Sequence, residues 1–514
     1  MKNLSLHAPL IVSARTLRRG GVSYVLSVCT YVAFGCLASS MSASAQTATA
    51  SKPVPLPRAA HQGPNVLFIA VDDLRPLLGC YGTPIIKTPN IDGLARRGLR
   101  FTRAYCQSAI CGPSRASVLT GLRPDSTGIH DLGSTVRQKL PNIITLPQLF
   151  RQTGYETVSI GKVYHQFNDD DALGWSKPAS WPTGKWTGRG YLSNGPQDST
   201  GRGPPWENID VDGLDYQDGQ IATEAIQELR RLKTQNARFF LAVGFKKPHL
   251  PFSAPKRFWD LYNPVALPAA PRKSWPEGMP PIAGWNWGEL RDYAGMPREG
   301  PVEGDVARTL VHGYYACVSY VDAQVGRVLD ELDRQGLRRN TLVILWGDNG
   351  WKLGDYGAWC KATNFELDAR IPLIIATPDG VSAGKSSSAL VELVDLYPTL
   401  AQLCKLGVPA HCEGTSFMPV LHEPDCGWKP AAFTQFPREP KIMGYSMRLE
   451  GLRYTEWIDR KTKRVVEREL YDHSNSEVAT VNLVHDPHYA ARIPELSATL
   501  AAGFGWRRWQ NTKR

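Results

Sequence analysis

The sequence predicts an α/β fold: a large, mostly parallel sheet flanked by helices on both faces, then a smaller C-terminal antiparallel-sheet subdomain. Three observations carry this prediction. Unbroken apolar runs, of which Asn65-Val66-Leu67-Phe68-Ile69-Ala70-Val71 is the first, recur as far as Ala376, and a strand without alternation is one covered on both faces. Segments with helical periodicity lie between these runs, the pattern of strands joined by crossover helices. Beyond about Gly407 the period shortens to brief strand-like runs separated by turns, which suits strands joined by hairpins.

In chain order, the apolar runs place strands at 65–71, 157–160, 239–245, 341–346 and 371–376. Helical patterns cover 91–97, 146–152, 221–233, 306–335 and 395–404. The stretches 175–206 and 266–303 are rich in Pro, Gly and Trp and read as long surface loops, a setting in which loops commonly carry function. Four short strands are expected at 431–436, 442–449, 452–458 and 465–471. The catalytic part then spans 65–406 and the C-terminal subdomain 407–514, with 46–64 as a flexible linker.

Residues 1–45 have a different character. Lys2, Arg15, Arg18 and Arg19 precede an apolar run from Val22 to Ala38, and Ala43-Ser44-Ala45 offers a small-residue cleavage site. This is the pattern of a signal peptide, so the protein is expected to be exported, periplasmic or secreted. No later run is apolar enough to span a bilayer, so no membrane association is expected after signal removal. The remaining chain has 55 Lys and Arg against 48 Asp and Glu, a net charge of +7. Such a balance favours polyanionic substrates, and with no nucleic-acid-binding motif in the chain, nucleic acid is not an expected partner. Eight cysteines follow the signal, in a compartment that permits disulfides. Cys412 and Cys426 flank a short Pro- and Gly-containing loop and are the expected bridge. Cys80, Cys106, Cys317, Cys360 and Cys404 read as small packing residues.

Polar residues stand where the strands end, the edge at which open α/β sheets gather ligands. Asp72 and Asp73 follow the first strand, and Asp348 and Asn349 follow the 341–346 strand. Four oxygen-bearing side chains from two strand ends suit one hard cation, calcium or magnesium, rather than zinc. Basic groups form a second set: Lys162 and His165 in Gly161-Lys162-Val163-Tyr164-His165, His249 in Lys247-Pro248-His249, Lys361, and Arg115. Converging cations and imidazoles fit a tetrahedral dianion, whose oxygens need several charge-assisted donors once water is expelled.

The string Cys111-Gly112-Pro113-Ser114-Arg115 with Leu119-Thr120-Gly121 reads C-x-P-S-R-x-x-x-L-T-G. It resembles the site at which type I sulfatases of the alkaline phosphatase superfamily oxidise a cysteine to formylglycine. Val71-Asp72-Asp73-Leu74-Arg75-Pro76, Gly161-Lys162-Val163-Tyr164-His165, FFLAVGFKKPHLPF at 239–252 and GDNGWKLGDYGAWCKATNF at 347–365 extend the resemblance from 65 to 471, toward the iduronate-2-sulfatase subgroup. The resemblance implies that Asp72, Asp73, Asp348 and Asn349 bind one calcium together with an oxygen of modified Cys111. It implies that Arg115 and Lys162 hold sulfate and the formylglycine hydrate, that His165 is the base acting on that hydrate, and that His249 and Lys361 lie on the leaving-group side. A sulfated carbohydrate, in particular a 2-O-sulfated uronate, is the implied substrate, and a formylglycine-generating maturation enzyme the implied partner. Asn349 stands where the subgroup usually has His, and Asp355-Tyr356 where it has Glu-His. Arg448 and Arg453, with Trp351 or Trp359 as a stacking ring, are the candidates for recognising a uronate. Two other readings are a phosphoryl or phosphonate monoester hydrolase, against which the cysteine motif argues, and a non-catalytic sulfated-glycan-binding protein, against which the full set of polar residues argues.

Overall fold

The structure, a computed structural model, describes residues 63–505 apart from 167–171, 194, 196, 287 and 439. The expected signal peptide lies outside the described residues, as does all but the end of the expected linker. Among the described residues, no helix is long and apolar enough to cross a membrane.

The central sheet has the strand order Ser386–Ser387, Leu99–Tyr105, Arg370–Ala376, Thr341–Gly347, Asn65–Val71, Phe239–Phe245, Glu156–Gly161, with Val391–Glu392 also pairing with Leu99–Tyr105. The half from Thr341–Gly347 to Glu156–Gly161 is parallel. Arg370–Ala376 runs antiparallel to both of its neighbours, so the sheet is mixed. Asn65–Val71 is buried along its whole length and alternates between two cores. Leu67, Ile69 and Val71 pack toward the helices Pro89–Arg97, Gln217–Thr234 and Gly304–Arg334, whereas Val66, Phe68 and Ala70 pack toward Cys111–Thr120, Leu146–Gln152 and Leu396–Leu403. That two-sided burial explains the unbroken apolar runs.

Register sets the functional edge. Val71 pairs with Phe245 on one side and Gly347 on the other, so three strands end level. Asp72, Lys246 and Asp348 therefore leave the sheet side by side. Gly161 pairs with Gly244, which brings Lys162 to the same edge.

Four antiparallel strands, Ala432–Arg438, Ile442–Arg448, Leu452–Asp459 and Val465–Asp472, form the second sheet in chain order. The helix Ile493–Gly503 supplies Leu496 and Leu500 to its core. Glu366, buried at the start of the short helix Glu366–Ala369, ties the two sheets together. Its Oε2 receives Arg453 Nη2 at 2.8 Å and faces Arg448 Nε at 3.2 Å, and its Oε1 receives the Tyr105 hydroxyl at 2.8 Å. Removing one member of a buried ionic group leaves the rest uncompensated, at a cost of roughly 3–5 kcal/mol. Glu366→Ala is therefore expected to lower stability by that amount in denaturant unfolding; a change within 0.5 kcal/mol would contradict this anchoring role.

Cys412 and Cys426 correct one expectation: both are free thiols, half-buried beside the core that contains Leu400 and Phe417. The Cys412 sulfur lies against Gly121 and Tyr397 and closes the end of the Cys111–Thr120 helix. Cys106, Cys317, Cys360 and Cys404 are buried as packing residues, and Cys80 is half-buried.

Candidate active site

Cys111 is the first residue of the helix Cys111–Thr120, every residue of which is buried. The surrounding motif builds this helix and fixes it to the sheet. Ser114 Oγ donates to the Asp348 carbonyl at 2.5 Å, and Arg115 Nε donates to Asp348 Oδ2 at 2.8 Å. Arg115 Nη2 reaches Asp72 Oδ1 at 3.2 Å, and Nη1 donates to the carbonyls of Lys162 and Val163. Gly121 ends the helix at φ 70°, with its N–H on the Ser117 carbonyl, a left-handed position that glycine takes without a Cβ clash. The motif thus fastens the helix N-terminus, and the positive end of its dipole, to three strand ends.

Three carboxylates surround the thiol. The Cys111 sulfur is 3.3 Å from Asp72 Oδ1 and 3.9 Å from Asp73 Oδ1, and one ligand atom each from Asp72, Asp73, Cys111 and Asp348 lie within 4.8 Å of one another. Asp73 adopts φ 59°, a left-handed conformation that Asp tolerates better than most residues, and its N–H donates to Asp348 Oδ1 at 2.9 Å. Asn349 Nδ2 donates to Asp73 Oδ1 at 2.8 Å. Asp73 Oδ2 and Asn349 Oδ1 are buried acceptors without a hydrogen-bond partner. Two orphaned oxygens beside three carboxylates are the donor set a hard cation satisfies, so these residues fit a metal ion.

Cations close the cluster. Lys162 Nζ binds Asp72 Oδ2 and stands 3.7 Å from the Cys111 sulfur; Lys361 Nζ binds Asp73 Oδ1 and stands 3.5 Å from the same sulfur. Cys360 and Ala362, on either side of Lys361, both have positive φ (65° and 80°). Such strain costs on the order of 1–3 kcal/mol per residue and is tolerated here where Lys361 is delivered. Burial pushes the Asp72 carboxyl up, but Lys162, His249, Arg115 and Lys361 together outweigh it and hold Asp72 well below the usual range. Asp73 goes the other way: burial, opposed by Lys361 and reinforced by Asp72 and Asp348, pushes it up to about 7. Burial, with Lys162 next, pulls His165 down to about 3, so its imidazole is neutral at neutral pH.

His249 shows a residue that the sequence reading missed. Its Nδ1 meets the Leu250 carbonyl at 2.6 Å and must carry the proton there, because a carbonyl only accepts. Nε2 faces Glu289 Oε1 at 3.2 Å and Asp73 Oδ2 at 3.8 Å. Glu289 belongs to the 266–303 loop, where no periodicity or motif marked it. If Glu289 sets the ring's orientation, Glu289→Gln lowers kcat about tenfold with KM for a small ester nearly unchanged. Equal kcat in the two proteins would make Glu289 a packing residue.

The four candidates for sugar recognition separate. Trp351 joins the cluster, with its ring centroid 5.1 Å from Lys361 Nζ. Trp359 instead lines a cleft of about 300 Å³ bordered by Leu267, Pro268, Lys273, Val302 and Arg308. Arg448 and Arg453 point to Glu366 as described and are buried there.

This arrangement, a buried residue between carboxylates and fixed cations at the carboxyl edge of an alkaline phosphatase-like sheet, defines an ester hydrolase for a tetrahedral anion. Its strand ends supply the charge, and its helix supplies the reacting position. The chain belongs to the sulfatase family: the family model described as Sulfatase matches residues 64–406, and that described as N-sulphoglucosamine sulphohydrolase, C-terminal, matches 354–503. It is a type I sulfatase similar to iduronate 2-sulfatases. It is 36% identical to that of Mus musculus over 467 residues, covering 77% of this chain and 84% of the relative, and 36% identical to that of Homo sapiens, covering 77% and 85%. A sulfatase of Formosa agariphila is 30% identical, covering 85% of this chain and 86% of its own. Among solved structures, one in complex with its substrate D-glucosamine-2-N,6-O-disulfate has a TM-score of 0.70 at 25% identity, covering 86% of this chain and 98% of that chain. The phosphonate monoester hydrolase of Agrobacterium radiobacter has a TM-score of 0.69 at 23% identity, covering 86% and 96%, a likeness of fold.

Proposed function

We propose that this sulfatase removes sulfate from a sulfated uronate in a carbohydrate, as an exported enzyme whose residue 111 is formylglycine and whose metal is one calcium. The observation that carries this reading is the placement of the Cys111 sulfur between Lys162 Nζ at 3.7 Å and Lys361 Nζ at 3.5 Å, with Asp72 at 3.3 Å. Calcium would be held by Asp72, Asp73, Asp348 and Asn349 and would supply charge for the sulfate oxygens, and a formylglycine hydrate at position 111 would supply one hydroxyl as the nucleophile and a second whose deprotonation re-forms the aldehyde and breaks the carbon–oxygen bond to sulfate.

The chain's own side chains do the rest. Arg115, held by two carboxylates and two carbonyls, is oriented in advance and costs no reorganisation when charge develops. Lys162 and Lys361 flank the reacting position and stabilise negative charge on the transferring group. Neutral His165 accepts a proton in the step that releases sulfate. Lys361 faces the side where the sugar oxygen departs and delivers the proton that oxygen needs, while His249, kept neutral by burial with its proton on Nδ1, presents Nε2 there as an acceptor. Trp351, 1% exposed, packs its ring against Lys361 and supports that lysine. Residues 65–406 supply the catalytic edge, and residues from 407 onward brace it through Glu366. Domain limits and export are part of this proposal.

A screen of sulfated uronates against neutral sulfated sugars, with a phosphate monoester assayed alongside, tests the reading. Preferential sulfate release from the uronates is expected. Faster phosphate release would replace it with a phosphoryl hydrolase.

A further inference from the structure

The sequence 460–464 is Arg-Lys-Thr-Lys-Arg, four cations in five residues at the turn between the strands Leu452–Asp459 and Val465–Asp472. Lys461, Lys463 and Arg464 are exposed. Exposed Lys441 joins them, since its carbonyl accepts the Arg460 N–H at 2.7 Å. A solvated hairpin tip needs no such density of charge, and like charges this close repel.

The tip sits beside the catalytic helix. Arg460 Nη2 meets His130 Nε2 at 3.1 Å. Two residues on, the 131–132 segment packs on Gly112, the neighbour of Cys111: a Cβ on Gly112 would lie 2.8 Å from the Asp131 carbonyl. Gln166, which follows His165, donates to the Leu132 carbonyl. Exposed Lys139 adds its charge near His130 and Asp131 from the other side. Six cations thus border the segment that covers the helix N-terminus. Among the described residues, three nearby carboxylates are engaged locally. Asp459 accepts the N–H groups of Lys461 and Thr462, Asp131 accepts those of Gly133 and Ser134, and Asp125 accepts Gln435 and the Tyr445 hydroxyl while facing His130 Nε2 at 3.5 Å and Arg460 Nη2 at 4.0 Å. Lys461, Arg464, Lys441 and Lys139 present exposed charges beside them.

We propose that the 460–464 turn, with Lys441 and Lys139, is a docking surface for the anionic groups of a polymeric sulfated or carboxylated glycan, beyond the unit being hydrolysed. It rests on the sulfatase reading above and extends it from the reacting unit to the polymer. Rim charges of this kind act on encounter rate and salt dependence more than on chemistry.

The test is a triple variant, Lys461→Ser with Lys463→Asn and Arg464→Ser; Asn suits the φ of 60° at position 463. The probe is a size-fractionated heparin octasaccharide, with 4-nitrophenyl sulfate as the small ester. Affinity for the octasaccharide at low salt is expected to fall about tenfold and its salt slope to shallow, while kcat/KM on the small ester stays within about twofold. A control, Lys233→Ser with Arg339→Ser and Lys405→Asn, removes three exposed charges elsewhere and is expected to change neither. Unaltered octasaccharide affinity in the first variant, or an equal loss in the control, overturns the proposal. So does an equal loss of affinity for a DNA duplex, which would make the turn a general polyanion patch. Binding is read whether or not an ester is turned over, so failure of every sulfate ester would sink the proposed function and leave this result standing.

Discussion

Cys111→Ala is expected to abolish sulfate release, by on the order of 10⁴-fold or more in kcat, while the protein stays folded. The side chain is 2% exposed and sits at the first turn of a helix held by other residues, Ser114 and Arg115 among them. Losing one small buried group there costs about 1 kcal/mol. Activity and stability should therefore part company: turnover vanishes while the thermal midpoint moves little. Measuring both on one preparation checks this, together with a mass spectrum of the peptide containing residue 111 from the native host. Residual turnover near that of the parent protein, or only intact thiol in active enzyme, contradicts the proposed chemistry.

Chelation is the second large effect. Stripping divalent ions is expected to remove activity and lower the unfolding midpoint, and calcium at about 100 times its Kd should restore about 2.7 kcal/mol. Zinc should not substitute, because three carboxylates and an amide oxygen are hard donors. The pH dependence follows from Asp73, whose carboxyl stands at about 7 without an ion. Binding requires its charged form, so affinity is full above that value and weakens about tenfold per unit as pH falls below it. Calorimetric titration at several pH values measures this, and a flat profile from pH 5 to 8 would remove Asp73 from the ligand set.

Much of this was legible from the chain because burial on both faces writes itself as unbroken apolar runs. The runs at 65–71, 239–245 and 341–346 gave the parallel half of the sheet, and the residues just beyond them gave Asp72, Asp348 and Asn349. The Leu99–Tyr105 strand escaped because its sequence, LRFTRAY, carries Arg100, Thr102 and Arg103 on a half-exposed face, and its place depends on antiparallel pairing with Arg370–Ala376. Glu289 escaped because it is one of five acids in a loop of 38 residues and stands in no pattern that sets it apart, and only the folded path brings it to His249. Arg448 and Arg453 misled for the reverse reason. Charged residues on strands near a candidate site suggest a ligand, yet a buried carboxylate on another element had already claimed them. Free Cys412 and Cys426 show that loop spacing does not specify which sulfurs face each other.

The deep placement of Cys111 also sets an order of events during biogenesis. A side chain with 2% exposure, at the start of a helix buried at every position and with Asp131 and Leu132 packed on the adjoining Gly112, offers no room for a second protein's catalytic groups. On the proposed chemistry, an enzyme that oxidises it works on the unfolded chain, before Arg115 has found Asp348 and closed the door. If residue 111 acts as formylglycine, as proposed, catalytic competence is decided during a brief interval of synthesis, and a molecule that folds too soon stays inert however perfect its final shape.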